Sequence, residues 1–254
     1  MFLYACNALA QPILNGVTLS SLMEDDKARY GISDYGALFL LDGAGGRHIK
    51  LRHACSKMTL DPENDVYFCF GGSSLYPNMF MVDRSFREVD CLRLGRRQGD
   101  APILDIWFDP CQRVLLVLTE TQIDRYNANG DYLGAFMTAP RARSYKAICT
   151  FGAFLFVAYE EGGCLFVASY AQNGTFIEKL GLGNEYSVCN MQVLASGDHW
   201  VLNLFVYKHG CFPYVIQIML EGNVPPNECG DIVVECCGQD GLCVSCNVEK
   251  EGTV

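Results

Sequence analysis

The sequence predicts an all-β fold, and three features indicate it. Short segments rich in Val, Ile, Leu, Phe and Tyr alternate with turns along the chain, and most of the 25 glycines lie between these segments. No long segment has apolar residues at the i, i+3, i+4, i+7 spacing of an amphipathic helix. The apolar segments recur in groups of four at intervals of about 40 residues, which is typical of a repeat architecture.

The composition indicates a chain that buries a large core as a single domain over residues 1–254. Half of its 254 residues are hydrophobic and 19% are charged, which is unlike a disordered chain. The net charge of −10 lacks the dominant basic field of a nucleic-acid-binding protein. No segment approaches the roughly 20 apolar residues of a membrane-spanning helix. We therefore expect no nucleic-acid partner and no membrane span.

The segment Ala101–Pro140 defines the repeat most clearly, because it contains four strand patterns in succession. Asn129 and Gly130 separate the last two, and both residue types tolerate the positive φ of a tight hairpin turn. The predicted strands are Ile103–Phe108, Arg113–Thr119, Gln122–Tyr126 and a fourth around Tyr132–Met137.

Four further segments repeat this pattern. In one of them, Asn173 and Gly174 occupy the place of Asn129 and Gly130. The last segment departs from the pattern, since its fourth strand would begin Val224-Pro225-Pro226, and proline is tolerated only in an edge strand. The five units are Ser20–His53, Ser56–Leu94, Ala101–Pro140, Lys146–Leu180 and a segment from Asn190 to about Pro226.

The two ends of the chain each contain one further hairpin. We expect these hairpins, Phe2–Asn7 with Ile13–Leu19 and Asp231–Cys237 with Leu242–Val248, to combine into one unit. Such pairing removes the exposed sheet edges that invite aggregation. The sequence thus predicts a six-bladed β-propeller closed by pairing N- and C-terminal strands in one blade. A seven-bladed ring and a β-sandwich are the alternatives.

Charge distinguishes the first strand of each unit from the fourth. First strands such as ILDIWF carry few charges, whereas fourth strands such as REVDCLRL carry many. A strand covered on both faces by neighbouring blades must be apolar. The first strands are therefore expected to lie innermost.

The repeat pattern of segments such as Ile103–Phe136 and Ala147–Leu180 resembles the six-bladed propellers that include NHL-repeat and TolB-like proteins. The resemblance covers nearly the whole chain as repeat rhythm and hairpin placement, although the regular Gly-x-aliphatic-Ala-Val-Asp and Tyr-Val-Ala-Asp phrases of NHL repeats are missing. Proteins of these groups mostly bind proteins, peptides or glycans, and a minority are hydrolases or lyases. The resemblance alone does not decide between these classes. We expect a non-catalytic binding or scaffold module that recognises a protein, peptide or glycan ligand on the loop face at the central channel.

A binding face is predicted where the loops from each fourth strand to the next first strand meet the loops between second and third strands. Arginine and tyrosine, which dominate binding hot spots, are frequent in these loops. Because the patch is basic, an anionic or carboxylate-bearing partner is expected, with ordinary solvated loops as the alternative. The predicted rim residues are Arg52, His53, Tyr76, Arg96, Arg97, Arg141, Arg143, Tyr145 and Tyr186.

The alternative function is a metal-dependent, lactonase-like hydrolase with a cation at the channel mouth. Its candidate ligands from inner-strand positions are Glu24, Asn190 and Asp105, which match no family motif. No Gly-x-Ser-x-Gly, His-Glu-x-x-His or phosphate-loop motif occurs. We therefore assign no catalytic residue, and no cofactor or metal is expected.

The 14 cysteines are numerous for a chain that has a large core. Most lie in apolar segments, as buried free thiols of a reducing compartment do. The C-terminal group around Cys236, Cys237, Cys243 and Cys246 leaves three interpretations open: structural thiols, a disulfide or a metal site. A cytoplasmic location is expected, with a secreted protein or a lipoprotein as the alternative if the true start lies upstream of Met1.

Overall fold

The computed structural model describes residues 2–10, 19–25, 27–42, 45–71, 78–95, 101–196, 199–208, 213–221, 234–235 and 243–244. Within these residues, five four-stranded antiparallel sheets form the blades of a β-propeller. Their strands, in chain order, are β1 (Phe2–Ala10), β2 (Leu19–Glu24), β3 (Arg29–Ser33), β4 (Leu38–Asp42), β5 (Gly45–Ile49), β6 (Lys57–Asp61), β7 (Val66–Gly71), β8 (Asn78–Asp83), β9 (Glu88–Leu92), β10 (Asp105–Asp109), β11 (Val114–Leu118), β12 (Gln122–Tyr126), β13 (Tyr132–Thr138), β14 (Arg143–Phe151), β15 (Phe154–Glu161), β16 (Cys164–Ala171), β17 (Phe176–Gly183), β18 (Tyr186–Ser196), β19 (His199–Lys208) and β20 (Pro213–Glu221).

The blades follow one another around an axis. Blades one to four are β2–β5, β6–β9, β10–β13 and β14–β17, and blade five has the order β18-β19-β20-β1. The first strand of each blade lies beside the first strand of the next, from β2 through β6, β10 and β14 to β18, which again contacts β2. The first strands are thus innermost, as the charge pattern predicts.

The predicted sixth blade is wrong. Strand β1 pairs antiparallel with β20, with Phe2 opposite Glu221 and Ala10 opposite Tyr214, and so supplies the outer strand of blade five. The C-terminal segments form a separate short pair, β21 (Val234–Glu235) with β22 (Cys243–Val244), and no described residue pairs them with β1. An N-terminal strand can satisfy the edge of β20, whereas two consecutive prolines lack the N–H groups to do so. The predicted strand Ile13–Leu19 lies outside the described residues except for Leu19, which begins β2.

Aspartates fix the turns that follow the inner strands of blades two and three. A carboxylate oxygen of Asp61 accepts two backbone N–H bonds at 3.0 and 3.2 Å, and one of Asp109 accepts two at 2.9 and 3.3 Å. Asp65 and Arg113, which end the two turns, have φ values of 58° and 56°. Arg113 Nε also lies 2.6 Å from a Glu63 carboxylate oxygen, so the two turns contact each other.

Tight turns at Asn129-Gly130 and Asn173-Gly174 confirm the predicted hairpins. Gly130 and Gly174 have φ values of 84° and 85°, a conformation that glycine adopts without steric cost. They connect the third and fourth strands of blades three and four.

Amide side chains on β18 close the ring. Asn190 Nδ2 donates to Ser21 Oγ at 2.7 Å and to the carbonyl of Leu22 at 2.8 Å. Gln192 accepts from the backbone N–H of Glu24 at 3.0 Å and donates to its carbonyl at 2.7 Å. Blade five is therefore joined to blade one by side-chain bonds to inner-strand backbone.

A buried ion pair joins the inner strands of four blades. Lys57 Nζ lies 3.5 Å from Asp105 Oδ1 and also donates to the carbonyl of Cys189. The two oxygens of Asp105 accept the N–H groups of Ile106 and Ile148, each at 3.0 Å. Burial raises the pKa of Asp105, whose residue surface is 2% exposed, and the charge of Lys57 counteracts that rise. The pair thus ties β6, β10, β14 and β18 together.

The described cysteines are mostly free thiols. Cys55, Cys69 and Cys149 are fully buried, as expected for cysteines in apolar strands. Cys111 is disulfide-bonded, so the free-thiol expectation fails at that residue. Of the C-terminal group, Cys243 lies in β22, while Cys229, Cys236, Cys237 and Cys246 lie outside the described residues.

No described part of the chain forms an apolar helix of the length that a bilayer crossing requires.

Replacing Lys57 with Met should destabilise the protein by about 3–5 kcal/mol, because Asp105 is left as a buried, uncompensated charge. Lys146→Met is the matched control, since Lys146 pairs with Glu160 at 3.2 Å where both side chains are about one-third exposed. That change should cost less than about 1 kcal/mol. Urea unfolding of both variants measures the difference. Equal losses in the free energy of unfolding would contradict a structural role for the Lys57–Asp105 pair.

Candidate functional site

An open pocket lies on the propeller axis where the inner strands end. Its volume is about 470 Å³, within the range of small-molecule and side-chain sites. Every inner strand contributes to it: β2 with Met23 and Glu24, β6 with Thr59 and Leu60, β10 with Trp107 and Phe108, β14 with Thr150 and Phe151, and β18 with Gln192. The turns add Asp25, Pro62, Asp65, Arg84, Pro110 and Gly152.

Two threonine hydroxyls are held in this pocket with their hydrogens uncommitted. Thr59 Oγ1 accepts the backbone N–H of Phe108 at 2.9 Å, and Thr150 Oγ1 accepts the indole N–H of Trp107 at 2.9 Å. No described residue accepts the hydroxyl hydrogen of either threonine. Each hydroxyl is therefore oriented by a bond from β10 and retains a donor for a ligand oxygen.

A buried polar network forms one wall. Asp25 accepts hydrogen bonds from the hydroxyl of Tyr67 and, at 2.7 Å, from Arg84 Nη1. Arg84 Nε lies 2.6 Å from an Asp65 oxygen, and its guanidinium carbon is 5.3 Å from the centre of the Tyr67 ring. Burial and the hydrogen bond to Asp25 raise the pKa of Tyr67 well above its usual range, so its hydroxyl remains a donor at neutral pH. Arg84 is thereby fixed between two carboxylates at the pocket edge.

The turn that carries Arg84 is held by Asp83. Asp83 Oδ1 accepts the backbone N–H groups of Ser85 and Arg87 at 2.8 and 3.0 Å, and the hydroxyl of Ser85 at 2.8 Å. The bonds from the Arg87 backbone and the Ser85 side chain lower the pKa of Asp83 to about 2. The carboxylate form of Asp83 therefore orders this turn.

The described rim residues lie in the connections between blades or at the starts of the inner strands β14 and β18, at the ends of the inner strands opposite to the pocket. Arg52 and His53 lie in the connection from blade one to blade two, with side chains 78% and 36% exposed. Both approach Glu88 of β9: Arg52 Nη1 is 4.0 Å from Oε1, and His53 Nε2 is 3.6 Å from Oε2. The structure thus brings Arg52 and His53 together at one carboxylate.

The rim residues at the junction of blades three and four differ in exposure. Arg141 is exposed, whereas Arg143 donates to Glu161 at 3.2 Å and lies 4.8 Å from the centre of the Tyr159 ring. Tyr145 is 1% exposed and belongs to the core between blades three and four. The binding role predicted for these residues stays a prediction, and Arg141 is the one whose surface is open to a partner.

The remaining rim residues are Tyr186, Tyr76, Arg96 and Arg97. Tyr186 is half-buried and packs against the core of blades four and five. Tyr76, Arg96 and Arg97 lie outside the described residues.

The three candidate ligands of a lactonase-like cation have separate partners. Glu24 accepts two bonds from Arg29, both at 2.7 Å. Asn190 bonds Ser21 and Leu22, and Asp105 pairs with Lys57. Within the described residues, no cluster of three His, Cys, Asp or Glu donors includes Glu24 or Asp105.

Apart from Glu24, which was a candidate cation ligand, the pocket residues were not predicted as a site, although a signal for them exists in the sequence. Asp61-Pro62 and Asp109-Pro110 repeat one dipeptide at the end of two successive inner strands. Aspartate followed by proline is typical of a tight turn, so the repeat marks one end of the ring. Trp107 and Arg84 carry no comparable local signal, because their position depends on neighbouring blades.

No known protein-family model matches the chain, and no curated protein sequence matches it.

Solved structures resemble the chain in fold. Glutaminyl cyclase from Myxococcus xanthus has a TM-score of 0.58 at 9% identity, over 86% of this chain and 97% of that one. The PQQ-bound aldose sugar dehydrogenase from Streptomyces coelicolor has a TM-score of 0.54 at 11% identity, over 87% and 98%. The Pan2 WD40 domain from Neurospora crassa has a TM-score of 0.50 at 8% identity, over 83% and 77%. These likenesses confirm the β-propeller fold and leave the NHL-repeat or TolB-like type a prediction.

A quinoprotein alcohol dehydrogenase-like protein from Bacteroides thetaiotaomicron matches over 66% of this chain at 12% identity, with a TM-score of 0.43. The chain spans 55% of the length of that protein.

Replacing Arg84 with Met should destabilise the protein by about 3 kcal/mol, because the buried carboxylate of Asp25 loses its cationic partner. Arg87→Met is the control on the same turn, since the Arg87 side chain is 80% exposed. That change should cost less than about 1 kcal/mol. Denaturant unfolding at pH 7 compares the two, and similar losses would show that the Asp25 network contributes little.

Replacing Asp83 with Asn should reduce the acid sensitivity of the protein. A carboxyl whose pKa is lowered on folding stabilises the folded state above its unfolded pKa, near 4, and this stabilisation is lost as the pH falls towards about 2. Asp34→Asn, at an exposed aspartate of blade one, serves as the control. Unfolding midpoints between pH 5 and pH 2 measure the effect. An unchanged slope for Asp83→Asn would contradict the role of its ionised form.

Proposed function

We propose that this chain is a non-catalytic binding propeller that takes a segment of a peptide or glycan ligand into the axial pocket. The observation that carries the proposal is the pocket itself, which all five inner strands line. It combines apolar and aromatic walls with oriented hydrogen-bond donors, the arrangement typical of ligand sites.

The chemistry of the pocket favours a neutral ligand group with acceptor oxygens. Thr59 and Thr150 offer hydroxyl hydrogens, and Trp107 and Phe151 offer aromatic surface. The acidic side chains are matched by cations, since Arg29 binds Glu24 and Arg84 binds both Asp25 and Asp65. Peptide carbonyls and sugar oxygens both suit such a site.

Binding is favoured over catalysis because the Asp105 carboxylate and the Asn190 amide of the inner strands are engaged internally. The structural neighbours include a WD40 domain and two enzymes, so the fold alone supports either class. Asp105 and Asn190 use their hydrogen-bonding atoms on groups of their own and of neighbouring inner strands. A general acid or base needs a group that is free to exchange a proton with substrate.

The Pro110→Trp variant should lose ligand binding at least tenfold, because an indole placed at this exposed turn position covers the pocket mouth. Pro140→Trp introduces the same side chain at an exposed proline of the connection between blades three and four, and should bind as wild type does. Peptide and glycan arrays probed with the labelled protein identify a ligand, and calorimetric titration then gives the affinities.

The rim hypothesis predicts a different outcome in the same assay. If the Arg52→Ala/Arg141→Ala variant loses binding while Pro110→Trp retains it, the ligand binds at the connections between blades and the pocket proposal is wrong. Failure of both arrays to yield any ligand whose binding Pro110→Trp weakens would also contradict the proposal.

A further inference from the structure

Three potential metal ligands of different chemistry meet on the outer part of blade two. His53 lies in the connection from blade one, and Glu88 and Cys91 lie on β9, the outer strand of the blade. One donor atom from each, an imidazole nitrogen, a carboxylate oxygen and a thiol sulfur, lie within 4.8 Å of one another. This cluster is separate from the axial pocket and is independent of the proposed function.

A β-bulge places Glu88 and Cys91 on the same face of their strand. Residues three apart on a regular strand point to opposite faces. Here Glu88 pairs with Val82 and Cys91 pairs with Phe80, so that Val89 is the extra residue and is pushed outward, 54% exposed. Val82 and Phe80 are two residues apart on β8, so their partners Glu88 and Cys91 point to the same face of the sheet. Bulges of this kind re-aim side chains at functional sites.

His53 is held against the same face. Its ring lies 5.4 Å from the ring of Phe80, the residue paired with Cys91. The backbone beyond it is fixed, because Cys55 donates its N–H to the carbonyl of Gly36 at 2.9 Å. A Cβ added at Gly71 would lie 1.7 Å from the carbonyl oxygen of Ala54, so this connection also packs directly on β7. The imidazole therefore approaches Glu88 from a rigid segment.

Glu88 has an oxygen that the described residues leave unsatisfied. Its Oε2 atom is shielded from solvent and accepts no hydrogen bond within the described part of the chain. The His53 Nε2 atom points towards it from 3.6 Å. The other oxygen, Oε1, accepts the Cys91 thiol at 3.2 Å. A shielded carboxylate oxygen without a donor is costly, and a cation would remove that cost.

We propose that His53, Glu88 and Cys91 form a binding site for a divalent transition-metal ion, with Zn²⁺ the best match. Imidazole, carboxylate and thiolate are the ligands that Zn²⁺ takes in proteins. Tetrahedral bonds of about 2.0–2.3 Å place ligand atoms about 3.3–3.8 Å apart. One donor atom from each of the three residues lies within 4.8 Å of the other two, so small side-chain rotations bring them into this range. On binding, Cys91 releases its thiol proton to solvent and coordinates as thiolate.

Three protein ligands leave a fourth position of the ion open to water or to a donor from a partner. Cys91 is exposed, so this position faces solvent. The ion would also clip the connection between blades one and two to the outer strand β9. Metal binding should therefore stabilise the folded protein as well as create a reactive or bridging position.

Cobalt titration of the reduced, metal-stripped full-length protein tests the site. Co²⁺ bound to a thiolate gives a charge-transfer band in the near ultraviolet, and tetrahedral Co²⁺ absorbs in the visible. We expect wild type to bind one more equivalent of thiolate-bound, tetrahedral Co²⁺ than Cys91→Ser and His53→Gln do. Cys164→Ser, which removes a free, half-buried thiol of blade four, is the matched control and should titrate as wild type does. Zn²⁺ should displace the cobalt and abolish the bands.

Thermal unfolding provides a second measurement. Free Zn²⁺ at a hundredfold excess over Kd should raise the Tm of wild type and Cys164→Ser by about 5 °C or more, and should leave Cys91→Ser unchanged. The metal-free Tm of each variant shows whether it is folded. If Cys91→Ser and His53→Gln bind as many equivalents of Co²⁺ as wild type, or show the same Zn²⁺-induced rise in Tm, the proposed site is refuted.

Discussion

The propeller depends on buried polar bonds between its inner strands, because no backbone ladder joins one blade to the next within the part of the chain that the structure describes. The Lys57–Asp105 pair is the centre of this arrangement, since it contacts the inner strands of blades two to five. Asn190 and Gln192 then join blade five to blade one. Apolar packing between blades has no direction, whereas these bonds have defined geometry. The polar side chains of the innermost strands therefore set how the blades are placed around the axis.

The sequence predicted the blades well where their signals are local. The apolar segments and the Asn-Gly turns predicted blades one to four as four-stranded units, and the structure confirms them. It failed on the blade count, because the partner of β1 is more than 200 residues away along the chain. The prolines at Val224-Pro225-Pro226 indicated that blade five lacked a good fourth strand of its own. What the sequence did not reveal is that Phe2–Ala10 fills that place.

The sequence predicted the functional site poorly, because the surroundings of each side chain are set by residues that are distant along the chain. Residue type and loop position singled out Arg143 and Tyr145, yet Arg143 is held by Glu161 and Tyr145 is packed in the core. The axial pocket depends on residues from five separate blades, which no local pattern groups together. The His53, Glu88 and Cys91 cluster depends on a single bulge at Val89, and bulges have no reliable sequence signature. In each case the local sequence defines the strand but not the neighbours of its side chains.

Ring geometry and pocket geometry are coupled through the same strands. Lys57 and Thr59 are two residues apart on β6, as are Asp105 and Trp107 on β10, so each pair shares one face at a spacing of about 7 Å. The oxygen of Thr59 binds the backbone of β10, and Thr150 binds the Trp107 indole, so both hydroxyls hold neighbouring blades in place. No described residue accepts their hydroxyl hydrogens, which remain available to a ligand oxygen. The bonds that fix the ring thus orient the donors of the pocket, and a ligand would meet a site that is already ordered, which lowers the entropic cost of binding.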